Sequence, residues 1–154
     1  MFVTNQGLSS NIQAFTQNLK QLDLEPIAYK LMHSSESKAW THEETKQAIA
    51  GYLQFLSLIH LYPNVPLVPT QEIDRVWHHH ILDTRKYVRD CQMLFGRFVH
   101  HFPYFGLRGE ADRQNWQMAC QQTQELFQKH FGKDAVLTQE FPKSADCQPL
   151  GYLN

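Results

Sequence analysis

The chain carries no excess of charge of either sign. Fourteen Lys and Arg stand against 15 Asp and Glu, a net charge of −1 with the histidines neutral. Without a basic surface, neither nucleic acid nor an anionic membrane is expected as a partner. Cysteine is scarce: Cys91, Cys120 and Cys147 are odd in number, far apart and never in a C-x-x-C pair. Neither a disulfide framework nor a cysteine-rich zinc site is therefore expected. The opening MFVTNQGLSSNIQ lacks a basic region followed by an apolar run, so no secretory signal is read there. The most apolar stretch, 48–68, is interrupted by Gln54, His60, Pro63, Asn64 and Pro66, which excludes a membrane span. The expected compartment is the reducing cytoplasm. Internal repeats and low-complexity runs are absent, and strand patterns are weak. No P-loop, G-x-S-x-G, H-E-x-x-H or H-x-E…C-x-x-C pattern occurs.

What is present is helical periodicity. At 154 residues, 42% hydrophobic and 19% charged, the chain fits one domain with a core of its own. Ser9 or Ser10 can cap a first helix carrying Ile12, Phe15, Leu19 and Leu22, and Pro26 suits the first turn of a short second one. Thr41 and Glu44 match a capping box. They start a helix to about Leu61 that is apolar nearly all round, the pattern of a central core helix. Three prolines make 62–69 an extended connector. Thr70 then caps a long helix, 71–95, ended or bent by Gly96, with Trp77, Ile81, Thr84, Val88, Cys91 and Phe95 as its buried stripe. An aromatic, Gly- and Pro-broken loop covers 100–109. A further helix spans about 111–130, with Trp116, Cys120, Thr123 and Phe127 on one face. The expected fold is all-α: one domain over 1–154, a bundle of about five helices with an irregular tail from about residue 132.

The distinctive feature is histidine. Five of the nine (His78, His79, His80, His100, His101) fall within 24 residues. Histidine is the commonest metal ligand and the side chain most ready to titrate near neutral pH. On one helix Asp74 and His78 lie a turn apart, whereas His78 and His80 diverge by about 160° and His79 points outward. The triple histidine is therefore not one ligand cluster. The candidate metal site is Asp74 and His78 facing His100 and His101, with His80, His60 and Cys91 as additional candidates. Zinc or iron suits such donors. Each residue also has a plainer reading: Asp74–His78 as a helix-face pair, His60 and Cys91 as core residues, and His100 and His101 as caps on helix carbonyls. Trp77, Tyr87 and Phe102 are candidate pocket-lining residues, which keeps a haem or small-molecule pocket in view. A non-catalytic interaction module with structural histidines and a protein partner is the alternative of a different class. Whether the chain is an enzyme stays open.

The run Glu72 to Pro103 also resembles a known family. Asp74-x-x-Trp77-His78-x-His80, Tyr87, Asp90-Cys91, Phe95-Gly96 and His100-His101-x-Pro103 are similar to the glycine-rich domain-containing proteins of plants and their short bacterial relatives. Trp40 and Tyr52-Leu53-x-Phe55-Leu56 fit the short form. The resemblance implies that Asp74, Trp77, His78, Cys91 and His101 are motif positions. At the place of His80, short bacterial relatives can carry Phe. With seven glycines in the chain, the segment that names the plant proteins is missing, and roles attached to it do not transfer.

Overall fold

The Thr41-x-x-Glu44 signal starts a helix in the way its chemistry dictates. In the computed structural model, which describes residues 5–36 and 38–135, the Glu44 amide donates to the Thr41 hydroxyl at 3.2 Å and the Thr41 amide donates to the Glu44 carboxylate at 2.8 Å. Two otherwise free amide donors are thereby satisfied. The element order is α1 (Asn5–Lys20), α2 (Glu25–Met32), α3 (His42–Leu61), α4 (Gln71–Leu82), α5 (Thr84–Phe95) and α6 (Glu110–Phe131), followed by a 3-10 turn, Gly132–Asp134. Among the described residues there is no strand, and no helix is long and apolar enough to cross a membrane. The all-α expectation holds. The first helix begins at Asn5 rather than after Ser9 or Ser10. Of the expected irregular tail, residues 136–154 lie outside the described residues.

The core forms around α3, which packs against α1, α2, α4 and α6. Tyr52, Phe55, Leu56, Leu58 and Ile59 of α3 are all buried, joined by Ile27 and Leu31 of α2, Ile73, Val76 and Trp77 of α4, and Phe127 of α6. An apolar helix reaches this position because burying nearly every face removes the most apolar surface from water. The proline-bearing connector is fastened to α6 through the Val68 amide, which donates to the Thr123 hydroxyl at 3.0 Å. Val68, Trp116, Ala119 and Cys120 make a smaller second cluster there.

One expectation is corrected. The helix 71–95 is two helices, broken at Asp83 (φ −80°, ψ 72°), which ends α4 and precedes α5. The break resets the helical phase. Trp77 and Cys91 are buried, but Thr84 and Val88 point to solvent and Tyr87 and Leu94 face inward instead. Gly96 ends α5 in the left-handed conformation (φ 66°), a position that favours glycine, and the chain turns back. Burial then alternates: Phe98 exposed, Val99 buried, His100 exposed, His101 mostly buried, Phe102 exposed. Such a period of two is that of an extended path laid along a surface. Farther on, Gly106 (φ +87°) lies so close to α6 that a Cβ there would stand 2.9 Å from Trp116 Cγ. The Asp112 carboxylate accepts the Gly106 amide at 2.8 Å and holds the loop down.

Candidate metal centre

The first turn of α4 supplies the acid. Thr70 caps it, the Ile73 amide donating to its hydroxyl at 3.3 Å, and Asp74 follows in the electropositive first turn, where a carboxylate is favoured. Asp74 is 5% exposed. One helical turn on, His78 Nε2 lies 3.2 Å from Asp74 Oδ2. The returning segment brings the third group: His101 Nε2 lies 2.7 Å from Asp74 Oδ1 and 3.2 Å from His78 Nε2. These three residues are a group whose donor atoms converge closely enough for one metal ion.

The proton count is informative. Three contacts join two imidazole nitrogens and one carboxylate, yet each Nε2 carries at most one hydrogen. If both nitrogens donate to the carboxylate, two N–H groups face each other across 3.2 Å. If one donates to the other ring instead, a nitrogen lone pair is left against a carboxylate oxygen. A cation among them satisfies all three sets of lone pairs at once. Four-coordinate zinc, with bonds of 2.0–2.1 Å, separates its ligand atoms by roughly 3.3 Å, close to the two 3.2 Å separations from His78 Nε2, whereas His101 Nε2 and Asp74 Oδ1 at 2.7 Å would have to move apart. His78 is held below the usual imidazole value, first by burial of its inner edge and then by His101, with Asp74 opposing. The neutral form thus favoured is the one that binds metal. Its side chain is nevertheless 47% exposed, so the cluster opens to solvent on that side.

His101 reaches Asp74 through a chain of fixed partners. The Trp77 indole N–H donates to the Tyr87 hydroxyl at 3.0 Å, and that hydroxyl donates to the Val99 carbonyl at 2.5 Å. Two residues after Val99, the His101 ring settles 4.4 Å from the Trp77 ring. His100 falls on the opposite side of the segment, exposed and edge-on to Phe98. It is outside the cluster.

The other candidate residues lie elsewhere. His80 is 1% exposed, with both ring nitrogens engaged: the Tyr52 hydroxyl meets Nδ1 at 2.8 Å, and Nε2 meets Asp90 Oδ2 at 2.8 Å. Lys86 Nζ sits 2.9 Å from the same Asp90 oxygen. Burial depresses His80, with Asp90 opposing, and burial holds Tyr52 well above its ordinary value. The Tyr52 O–H therefore donates to a neutral ring whose Nε2–H donates to Asp90. This is a buried polar tie between α3, α4 and α5. Sequence reasoning did not pair His80 with Tyr52 or Asp90. The signal was Asp83-Thr84, a helix-restart pair whose break folds Asp90 back toward His80. His60 stacks on Phe15 at 4.2 Å, and His79 Nδ1 bonds the Arg75 carbonyl at 2.9 Å. Cys91 is a free thiol in the core. Cys120 is buried in the smaller cluster with Val68, Trp116 and Ala119, and Cys147 lies outside the described residues.

Trp77 and Tyr87 are core groups that brace His101, and Phe102 is exposed beneath the Arg108 guanidinium. A cleft of about 340 Å³ opens instead beside Pro66, Phe105, Arg108 and Met118, and none of Trp77, Tyr87 and Phe102 lines it.

A family model described as UCP032817-like matches residues 13–135. The chain belongs to this family. The match spans five of the six helices in full and the second half of α1, together with every residue of the Asp74 cluster. It overturns the resemblance to glycine-rich domain-containing proteins. Asp74, Trp77, His78 and His101 stand as a constellation on their own geometry and not on that kinship. No curated protein and no solved structure matches the chain.

Proposed function

We propose that this UCP032817-like chain binds one divalent transition-metal ion through Asp74, His78 and His101. The observation that carries the reading is the surplus of close contacts over available protons among those three side chains. Two imidazoles and a carboxylate suit zinc or iron. Three protein donors with a solvent-facing side leave room for water or a substrate oxygen, the arrangement of catalytic rather than purely structural zinc sites. An ion there supplies Lewis-acid chemistry if it is zinc and redox chemistry if it is iron. His100, His60, His80 and Cys91 have no part in this assignment. The test is elemental analysis of protein purified without a histidine tag, with an anomalous-scattering peak located against His78 and His101. About one equivalent of metal, lost in Asp74→Ala, is the expected result. Metal far below one equivalent, with no thermal shift on adding zinc or iron, refutes it.

A second reading treats the same three residues as a polar clamp within a helical interaction module. Its support is the exposed Phe98, Phe102, Tyr104 and Leu107 on the loop that His101 anchors. A defined partner that co-purifies equally with folded His78→Ala and His101→Ala proteins favours this reading over the first. A haem pocket has less support, because the deeply buried His80 has no uncommitted ring nitrogen.

A further inference from the structure

The return segment carries the third metal donor, yet little holds it. Among the described residues, 97–103 make no backbone–backbone hydrogen bond. The one hydrogen bond to the backbone there comes from the Tyr87 hydroxyl to the Val99 carbonyl. That hydroxyl is 2% exposed as a residue and has a single hydrogen. The indole N–H of Trp77 can only donate, so the direction is forced: Trp77 to Tyr87, Tyr87 to Val99. Trp77 is the residue before His78, and Val99 lies two residues before His101. One oxygen on α5 thus ties the helix that carries two donors to the segment that carries the third. The Phe98 ring closes edge-on over Tyr87 at 5.3 Å, covering the junction from outside.

We propose that Tyr87 is a positioning residue for the metal centre, its hydroxyl fixing the separation between His101 and the Asp74–His78 turn. This rests on the metal reading above. Hydrogen-bonded groups behind metal ligands typically govern affinity by about 10- to 100-fold, because they hold each donor in its binding orientation. Here the device acts through the backbone of the ligand-bearing segment rather than through the imidazole itself. Tyr87→Phe retains the ring, its contacts and the helix while removing only the oxygen.

The test uses the full chain without a tag, with Zn2+ for affinity and Co2+ as a spectroscopic stand-in. Wild type should bind both ions, and bound Co2+ should give visible bands characteristic of a His-containing site. Tyr87→Phe should keep the wild-type far-ultraviolet spectrum, weaken zinc binding about 10- to 100-fold, and shift or lose the Co2+ bands. Trp77→Phe breaks one of the two bonds and should show a smaller loss of affinity. A folded Tyr87→Phe protein with wild-type zinc affinity and unchanged Co2+ bands overturns the inference alone. If Tyr87→Phe does not fold, an unchanged zinc affinity in Trp77→Phe overturns it. A wild-type chain that takes up neither ion overturns the metal reading and this inference together.

Discussion

Three consecutive histidines on α4 should respond to alanine in three different ways, and His80 is the decisive one. Its side chain is 1% exposed and bonded at both nitrogens. His80→Ala removes a buried ring and leaves the Tyr52 hydroxyl without an acceptor at 0% residue exposure. An orphaned buried hydroxyl costs about 1–3 kcal/mol. The vacated space adds about 2 kcal/mol or more, by analogy with large-to-small core substitutions. The sum is roughly 3–5 kcal/mol. At about 2–4 °C per kcal/mol for a domain of this length, melting should fall by roughly 6–20 °C. His79→Ala should stay within about 0.5 kcal/mol of wild type, since it loses one partly exposed bond to the Arg75 carbonyl and gains a better helix former. His78→Ala should change metal-free stability little, because the side chain is half-exposed. The assay is urea unfolding followed by circular dichroism at pH 7.5 with chelator present. The reasoning is refuted if His80→Ala lies within 0.5 kcal/mol of wild type, or if His79→Ala is equally damaging.

Burial lowers the folded pKa values of His80, His60 and His130 below the ordinary 6.5. Below pH 6.5 the unfolded chain takes up protons that the folded chain resists, so stability is full above that pH and declines as pH falls toward the depressed folded values. His80 alone gives a slope of at most about 1.4 kcal/mol per pH unit; a metal-free urea midpoint that is equal or higher at pH 5.5 than at pH 7.5 contradicts this. Gly106→Ala should destabilise the aromatic loop, because the added methyl meets Trp116 at 2.9 Å and the φ of +87° suits glycine. Increased proteolysis between Phe102 and Gly109 is the expected signature, and unchanged resistance argues against it. Thr41→Ala should cost about 1 kcal/mol by opening the reciprocal cap on α3; urea midpoints of the two proteins measure it.

How far the sequence discloses this arrangement depends on the range of the interaction involved. The α3 cap was legible because Thr41 and Glu44 meet within one turn, and the burial of α3 because its apolar residues leave no polar face. The Asp74–His78 pair was legible for the same reason, being set by helical repeat alone. The break at Asp83 was harder, because helical periodicity carries smoothly through 81–84 and only the cap-forming tendency of Asp and Thr opposes it. Everything downstream of that break shifted phase, which is why Val88 was expected inside and Tyr87 takes its place. The choice between His100 and His101 depended on contacts 12 and 24 residues apart along the chain, from Tyr87 to Val99 and from Trp77 to His101. No local pattern encodes those.

The alternation of burial from Phe98 to Phe102 makes the paired histidines inequivalent, and it places a parity rule on the loop. Deleting His100 or inserting one residue between Val99 and His101 would bring the wrong face of the segment to Asp74, whereas inserting two would restore the face and alter only the reach. His100 is therefore no spare for His101, even though the two are chemically identical and adjacent. Loops usually tolerate small insertions freely. This one should behave instead like a strand, whose register is counted in single residues.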